Sequence, residues 1–181
     1  MAFKTNNSKA SEGFILKPEG DYEVIIEGAE IRTLQSGAQK IGFKYVIRND
    51  VEQRFQNGKI FDDVWKKKDP NADDLAVDGF NFGQLMAIAS AARLPDGQDY
   101  ETLAEFLAAL TGKPMKVHLY HDDYNDKYYE KVDRHYPTDF PEVKHIAKAP
   151  ANPAGYAAPA ATSFAGSIPI APVEDDDEYP F

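Results

Sequence analysis

The groups with which this chain could do acid–base, metal or nucleophilic chemistry are four histidines and thirty carboxylates, with no cysteine. Without thiolates there is no disulfide framework, no Cys-ligated zinc and no cysteine nucleophile. A zinc site would have to combine His118, His121, His135 or His145 with carboxylates. His118 and His121 lie three apart on an expected strand, where successive residues face opposite sides, so they do not converge. The run Asp122, Asp123, Asn125, Asp126, Glu130 is spaced somewhat like a calcium loop, but Tyr124 stands where a ligand belongs and Lys127 where the turn needs glycine. A magnesium nuclease could be assembled from Asp96 and the Glu142-Val143-Lys144 triplet. Asp96 belongs to a polar turn and the triplet follows the last expected strand, so a nuclease ranks behind a binding function. Gly58-Lys59 and Gly112-Lys113 lack the rest of a phosphate-cradling loop. No catalytic residue, metal or cofactor is expected.

Cations interleaved with aromatics point elsewhere. Lys40, Lys44 and Arg48 recur on one face of an expected strand, Lys116 and His118 share a face of another, and Lys66, Lys67 and Lys68 follow Trp65 directly. Binding a single nucleic-acid strand without sequence preference takes cations along the backbone and flat side chains under the bases, each stack contributing roughly 1–3 kcal/mol. Phe55, Trp65, Tyr120, Tyr124 and Tyr129 are the expected stacking residues, the last three through a hairpin that would wall a binding cleft. Phe43, Tyr45, Phe61, Phe82 and Phe106 are expected in the core, and Tyr128 is assigned to neither group. The lysine run alone reads as a solvated loop; its position beside Trp65 gives the nucleic-acid reading equal standing.

The charge balance opposes this at first. Twenty basic and thirty acidic residues leave a net charge of -10, which repels a polyanion at long range. Five of the carboxylates, however, are Glu174, Asp175, Asp176, Asp177 and Glu178. Residues 147–170 are rich in Ala, Pro, Gly and Ser and are expected to be a disordered linker, and residues 171–181 form an acidic tip closed by Tyr179, Pro180 and Phe181. Residues 147–181 carry -4 of the total and the body carries -6.

Residues 1–12 are polar and expected to be flexible, leaving residues 13–146 to position the candidate groups. Tyr22, Val24 and Ile26 alternate with Glu23, Ile25 and Glu27, predicting a strand from Gly20 to about Thr33. Alternation predicts a second strand over Ile41–Arg48, and a third strand, Lys59–Trp65, is expected to follow an Asn57-Gly58 hairpin turn. Phe82, Leu85, Met86 and Ala89 keep helical spacing after an Asn81 cap; Leu103, Phe106, Leu107 and Leu110 do so after Asp99, with Gly112 as the left-handed stop. A fourth strand runs from Met115 to Tyr120, a DDYND hairpin follows, and a fifth strand covers Lys127–Asp133. Three strands, helix, two strands is the order of the five-stranded Greek-key OB barrel, with its helical insertion between strands three and four. No apolar run reaches the roughly 18 residues that would span a bilayer, and a cytoplasmic location is expected.

Four segments and the tip carry a resemblance: Gly20–Ile26 (GDYEVII), Lys40–Val46 (KIGFKYV), Gly79–Leu85 (GFNFGQL), Leu110–Lys113 (LTGK) and the ending DDDEYPF. Over roughly residues 13–135 and the last ten, the chain resembles a phage single-stranded DNA-binding protein family, and its tip is similar to the acidic Pro-Phe ends of bacterial and phage members. The resemblance implies an OB fold that coats single-stranded DNA in phage replication or recombination, inside the host cell. It also implies that Asp175, Asp176, Asp177, Glu178, Tyr179, Pro180 and Phe181 recruit replication or recombination proteins. The linker is unusually rich in Ala and Pro for that family, and Glu178-Tyr179 separates the Asp run from Pro180. A homo-oligomer is compatible with this reading. The alternatives are a protein-interaction adaptor that does not bind DNA and the magnesium nuclease.

Overall fold

The computed structural model describes residues 16–124 and 127–147; the expected flexible N-terminus, linker and acidic tip lie outside the described residues. Alternating apolar positions become five antiparallel strands: β1 (Gly20–Thr33), β2 (Gln39–Ile47), β3 (Lys59–Trp65), β4 (Pro114–Tyr124) and β5 (Lys127–Tyr136). They form one sheet in the order β3-β2-β1-β4-β5, and three helices, α1 (Ala72–Ala76), α2 (Phe82–Ala91) and α3 (Leu103–Leu110), lie between β3 and β4 in sequence. This arrangement is broadly consistent with an OB-like β fold.

One face of the sheet forms the core. Val24, Ile26, Ile41, Phe43, Tyr45, Ile60, Val64, Met115 and Val117 are buried together with Leu85, Ile88, Phe106 and Leu110 from the helices. Asn81 caps α2 as expected, its side chain accepting from the Gln84 amide. The cap of α3 is Thr102 and not Asp99: the Thr102 hydroxyl accepts from the Glu105 amide, while Asp99 lies three residues upstream in an exposed stretch. Gly112 has φ +81° and donates its amide to the Ile26 carbonyl at 2.7 Å, a left-handed conformation that glycine adopts without strain. Helix α1 was not expected within the polar insertion. Its local cause is a capping box, in which Asn71 accepts from the Asp74 amide and Asp74 accepts from the Asn71 amide.

Two connections differ from the alternation reading. Residues between Ile47 and Lys59 form a long loop, in which Phe55 and Asn57 have positive φ, instead of a tight Asn57-Gly58 hairpin. Strands β4 and β5 continue through most of DDYND, pairing Tyr124 with Lys127. Their register shifts between His118 and Leu119, which pair with Arg134 and Val132, so that Asp133 is an extra residue in β5. The shift lets Val132 and His135 both face inward. His135 Nε2 lies 2.9 Å from Asp62 Oδ2, to which the buried Tyr45 hydroxyl also donates at 3.2 Å. These contacts link β3 to β5, the two edge strands of the sheet, and burial together with Asp62 pushes the Tyr45 hydroxyl well above its ordinary pKa.

Beyond β5 the chain returns across the fully buried Arg48. The guanidinium donates to both oxygens of Asp50 at 2.9 and 2.6 Å, to the Phe140 carbonyl at 2.6 Å and to the Glu142 carbonyl at 2.7 Å. Asp50 also accepts from the Lys144 amide at 2.6 Å. Glu23 receives the Thr138 hydroxyl and the Asp139 amide. Hydrogen bonding by Arg48 is the main reason the Asp50 carboxyl is held down at about 2, and Lys67, with the Phe82 amide, holds Asp74 at about 2. Both values lie below the ordinary 3.8, so their stabilisation is complete above about pH 4 and is lost as pH falls through about 2. The melting temperature should therefore fall steeply between pH 4 and 2, and Asp50→Asn should flatten that fall. An unchanged melting temperature at pH 2.5 would contradict this linkage.

Candidate nucleic-acid interface

Strand alternation that buries Ile60 and Val64 must turn Phe61 and Trp65 outward. Phe61 is 61% exposed and Trp65 46% exposed, about 13 Å apart along one strand face. The register places three rows on that face: Trp65, Lys40 and Arg32; Asp63, Gly42 and Glu30; Phe61, Lys44 and Gly28. Gly42, on β2 opposite Asp63, puts no side chain into the row between the two aromatics, where Asp63 and Arg32 flank it. Lys40 stands with its ammonium 5.4 Å from the Trp65 ring centre, a cation–π contact, and 2.7 Å from Asp63 Oδ2. Lys59 and Lys44 converge on Glu27 at 2.7 and 2.9 Å and hold its carboxyl below the ordinary range, chiefly through the Lys59 hydrogen bond.

A second cationic and aromatic surface lies on β4 and β5. Lys116 pairs with Asp139 at 2.6 Å beside the Tyr136 ring, and His118 Nδ1 lies 2.7 Å from Asp21. Tyr120 is half-buried opposite Lys131, which pairs with Asp122, and Tyr129 is exposed opposite Asp122. Tyr128, left unassigned by the sequence, is exposed as well. The Tyr124 side chain lies outside the described residues.

The structure therefore brings together Lys40, Lys44 and Trp65, and separately Lys116, His118, Tyr120 and Tyr129. It corrects three expectations. Arg48 has the alternation parity of Lys40 and Lys44, but it is fully buried and committed to Asp50 and two carbonyls, so it presents no donor to a ligand. Phe61 is outside the core. Lys66, Lys67 and Lys68 do not act as one patch: Lys66 reaches Gln39 at 2.9 Å and lies over Phe80, Lys67 is held by Asp74 at 2.9 Å, and Lys68 is exposed. Phe55 is exposed in the loop that enters β3 at Lys59, the end remote from Trp65. Sequence reading missed Phe61, Arg32 and Lys59. The parity of Phe61 with Trp65 on one strand was the signal that could have found the first.

Asp96 lines a groove of about 750 Å³ between α2 and α3, and Glu142 is exposed on the returning segment, so the proposed nuclease carboxylates occupy different elements. Among the described residues, no three His, Asp or Glu side chains gather as a metal-binding group, and no helix is long and apolar enough to cross a membrane.

No curated protein shows significant similarity to the chain. The profile of a family described as a protein of unknown function, DUF669, matches residues 2–153. With that span covering most of its length, the chain belongs to the DUF669 family.

Proposed function

We propose that this protein is a non-catalytic, sequence-tolerant single-stranded DNA-binding protein that coats DNA during phage replication or recombination. Its sheet is then the five-stranded Greek-key OB barrel, a reading supported by the strand order and by the Asp62–His135 contact that joins the edge strands. The observation that carries the function is the pair of exposed aromatics, Phe61 and Trp65, flanking bare Gly42 with Lys40, Lys44 and Arg32 between and beside them. Bases stack on the rings while phosphates meet the cations. Lys44 and Arg32 are paired to the exposed carboxylates of Glu27 and Glu30, but pairs at this exposure contribute only about 0–1 kcal/mol each, so phosphates can replace those carboxylates at small cost, while the less exposed Lys40 stays on Asp63. The acidic tip, Asp175 to Phe181, offers charge and aromatic rings to replication or recombination partners.

The test is a titration with oligo-dT and with duplex of equal length across salt. Tighter binding of oligo-dT is expected, with log affinity falling by about 0.7 per phosphate neutralised for each log unit of salt. A chain ending at Ile170 loses five carboxylates, taking its net charge from -10 to -5, and should bind more tightly at low salt with the gain fading as salt rises. Equal affinity for duplex, or no binding to oligo-dT, contradicts the single-strand-binding proposal; the second result is what the adaptor alternative requires.

A further inference from the structure

We infer that Asp63 reads base edges on this face and gives oligo-dC an advantage over oligo-dT, a conclusion that rests on the single-strand-binding reading above. Asp63 lies midway between Phe61 and Trp65 on β3 and opposite Gly42 on β2. Its side chain is 37% exposed, and Lys40 occupies only Oδ2, at 2.7 Å. Oδ1 leans over the bare glycine, 3.7 Å from the point where a side chain on Gly42 would begin. Arg32 Nε lies 3.8 Å from the same point, with the guanidinium held by Glu30 at 3.0 Å. The result is a glycine floor bounded by Asp63 Oδ1 and by the Arg32 side chain, with an aromatic ring on either side of Asp63 along β3.

A base seated there presents its edge to an atom that can only accept hydrogen bonds. The amino group of cytosine donates to a carboxylate, a pairing also used in groove readout. Thymine has no exocyclic amine. Its one N–H lies between two carbonyl oxygens, so approaching Asp63 brings oxygen against oxygen. Lys40, held on Oδ2, neutralises the carboxylate enough for neighbouring phosphates to remain on Lys44 and Arg32. For a charge-assisted hydrogen bond discounted for solvent exposure, the expected preference is roughly 3- to 10-fold for oligo-dC at neutral pH.

The experiment measures the dissociation constants of the full chain for oligo-dC and oligo-dT of one length at neutral pH, with Asp63→Asn alongside. Asparagine keeps the size and offers both a donor and an acceptor, so the ratio should fall to near one. The substitution also releases Lys40, which raises both affinities; the ratio, not either constant, is therefore the readout. Equal wild-type affinities, or a ratio unchanged in Asp63→Asn, overturn the role of Asp63 while leaving single-strand binding standing. No binding to either oligomer overturns both readings.

Discussion

Replacing Phe61 and Trp65 together by alanine is expected to weaken oligo-dT binding by at least about 30-fold while leaving the fold intact. Each base stacked on an aromatic contributes roughly 1–3 kcal/mol by alanine substitution, so losing two costs roughly 2–6 kcal/mol, and every 1.4 kcal/mol is tenfold. Both rings are exposed, and surface substitutions away from caps and buried networks usually change stability by within about 0.5 kcal/mol. Lys40 loses its cation–π partner but stays on Asp63, and Lys44 and Arg32 are untouched, so the phosphate contacts survive and the slope against salt should change little. A double variant that binds as tightly as the parent would move the site away from β3, leaving Tyr120 and Tyr129 as the aromatics to test.

Arg48→Ala should produce the largest loss of stability of any substitution among the cations. Removing one partner of a buried ion pair costs roughly 3–5 kcal/mol because the other charge is left uncompensated. Here Asp50 loses both its guanidinium bonds, and the carbonyls of Phe140 and Glu142 lose part-buried hydrogen bonds. Against typical domain stabilities of about 5–15 kcal/mol, this is a large share of the total. Lysine should not rescue it, since a single ammonium cannot serve a carboxylate in fork geometry and two carbonyls at once. Denaturant unfolding gives the stability, and oligo-dT titration of the remaining folded protein should give near-parental affinity. Parental stability with weakened DNA binding would return Arg48 to the interface.

Strand and helix positions were largely legible because their periods are set by which side meets the core. The apolar alternation of Tyr22, Val24 and Ile26 predicted β1, and the turn residues Asn57-Gly58 marked where β3 begins. The spacing of Leu103, Phe106, Leu107 and Leu110 predicted α3. Legibility failed where a polar group does a core residue's work. Asp62 sits inward because His135 and Tyr45 meet it, and a pattern that places aspartate outside hides the parity that turns Phe61 outward. Arg48 is buried by residues about ninety positions later, and no local pattern carries that contact. The cationic and aromatic composition of the face was therefore readable, whereas its exact membership depended on tertiary partners.

Trp65 is the chain's one tryptophan, so its emission reports on a single position in the proposed interface. Oligo-dT titrated into the full chain at low salt should quench that emission saturably, and added salt should reverse the quenching as binding is lost. Emission that stays constant while a labelled oligo-dT is demonstrably bound would contradict the assignment of this face as the single-stranded DNA site.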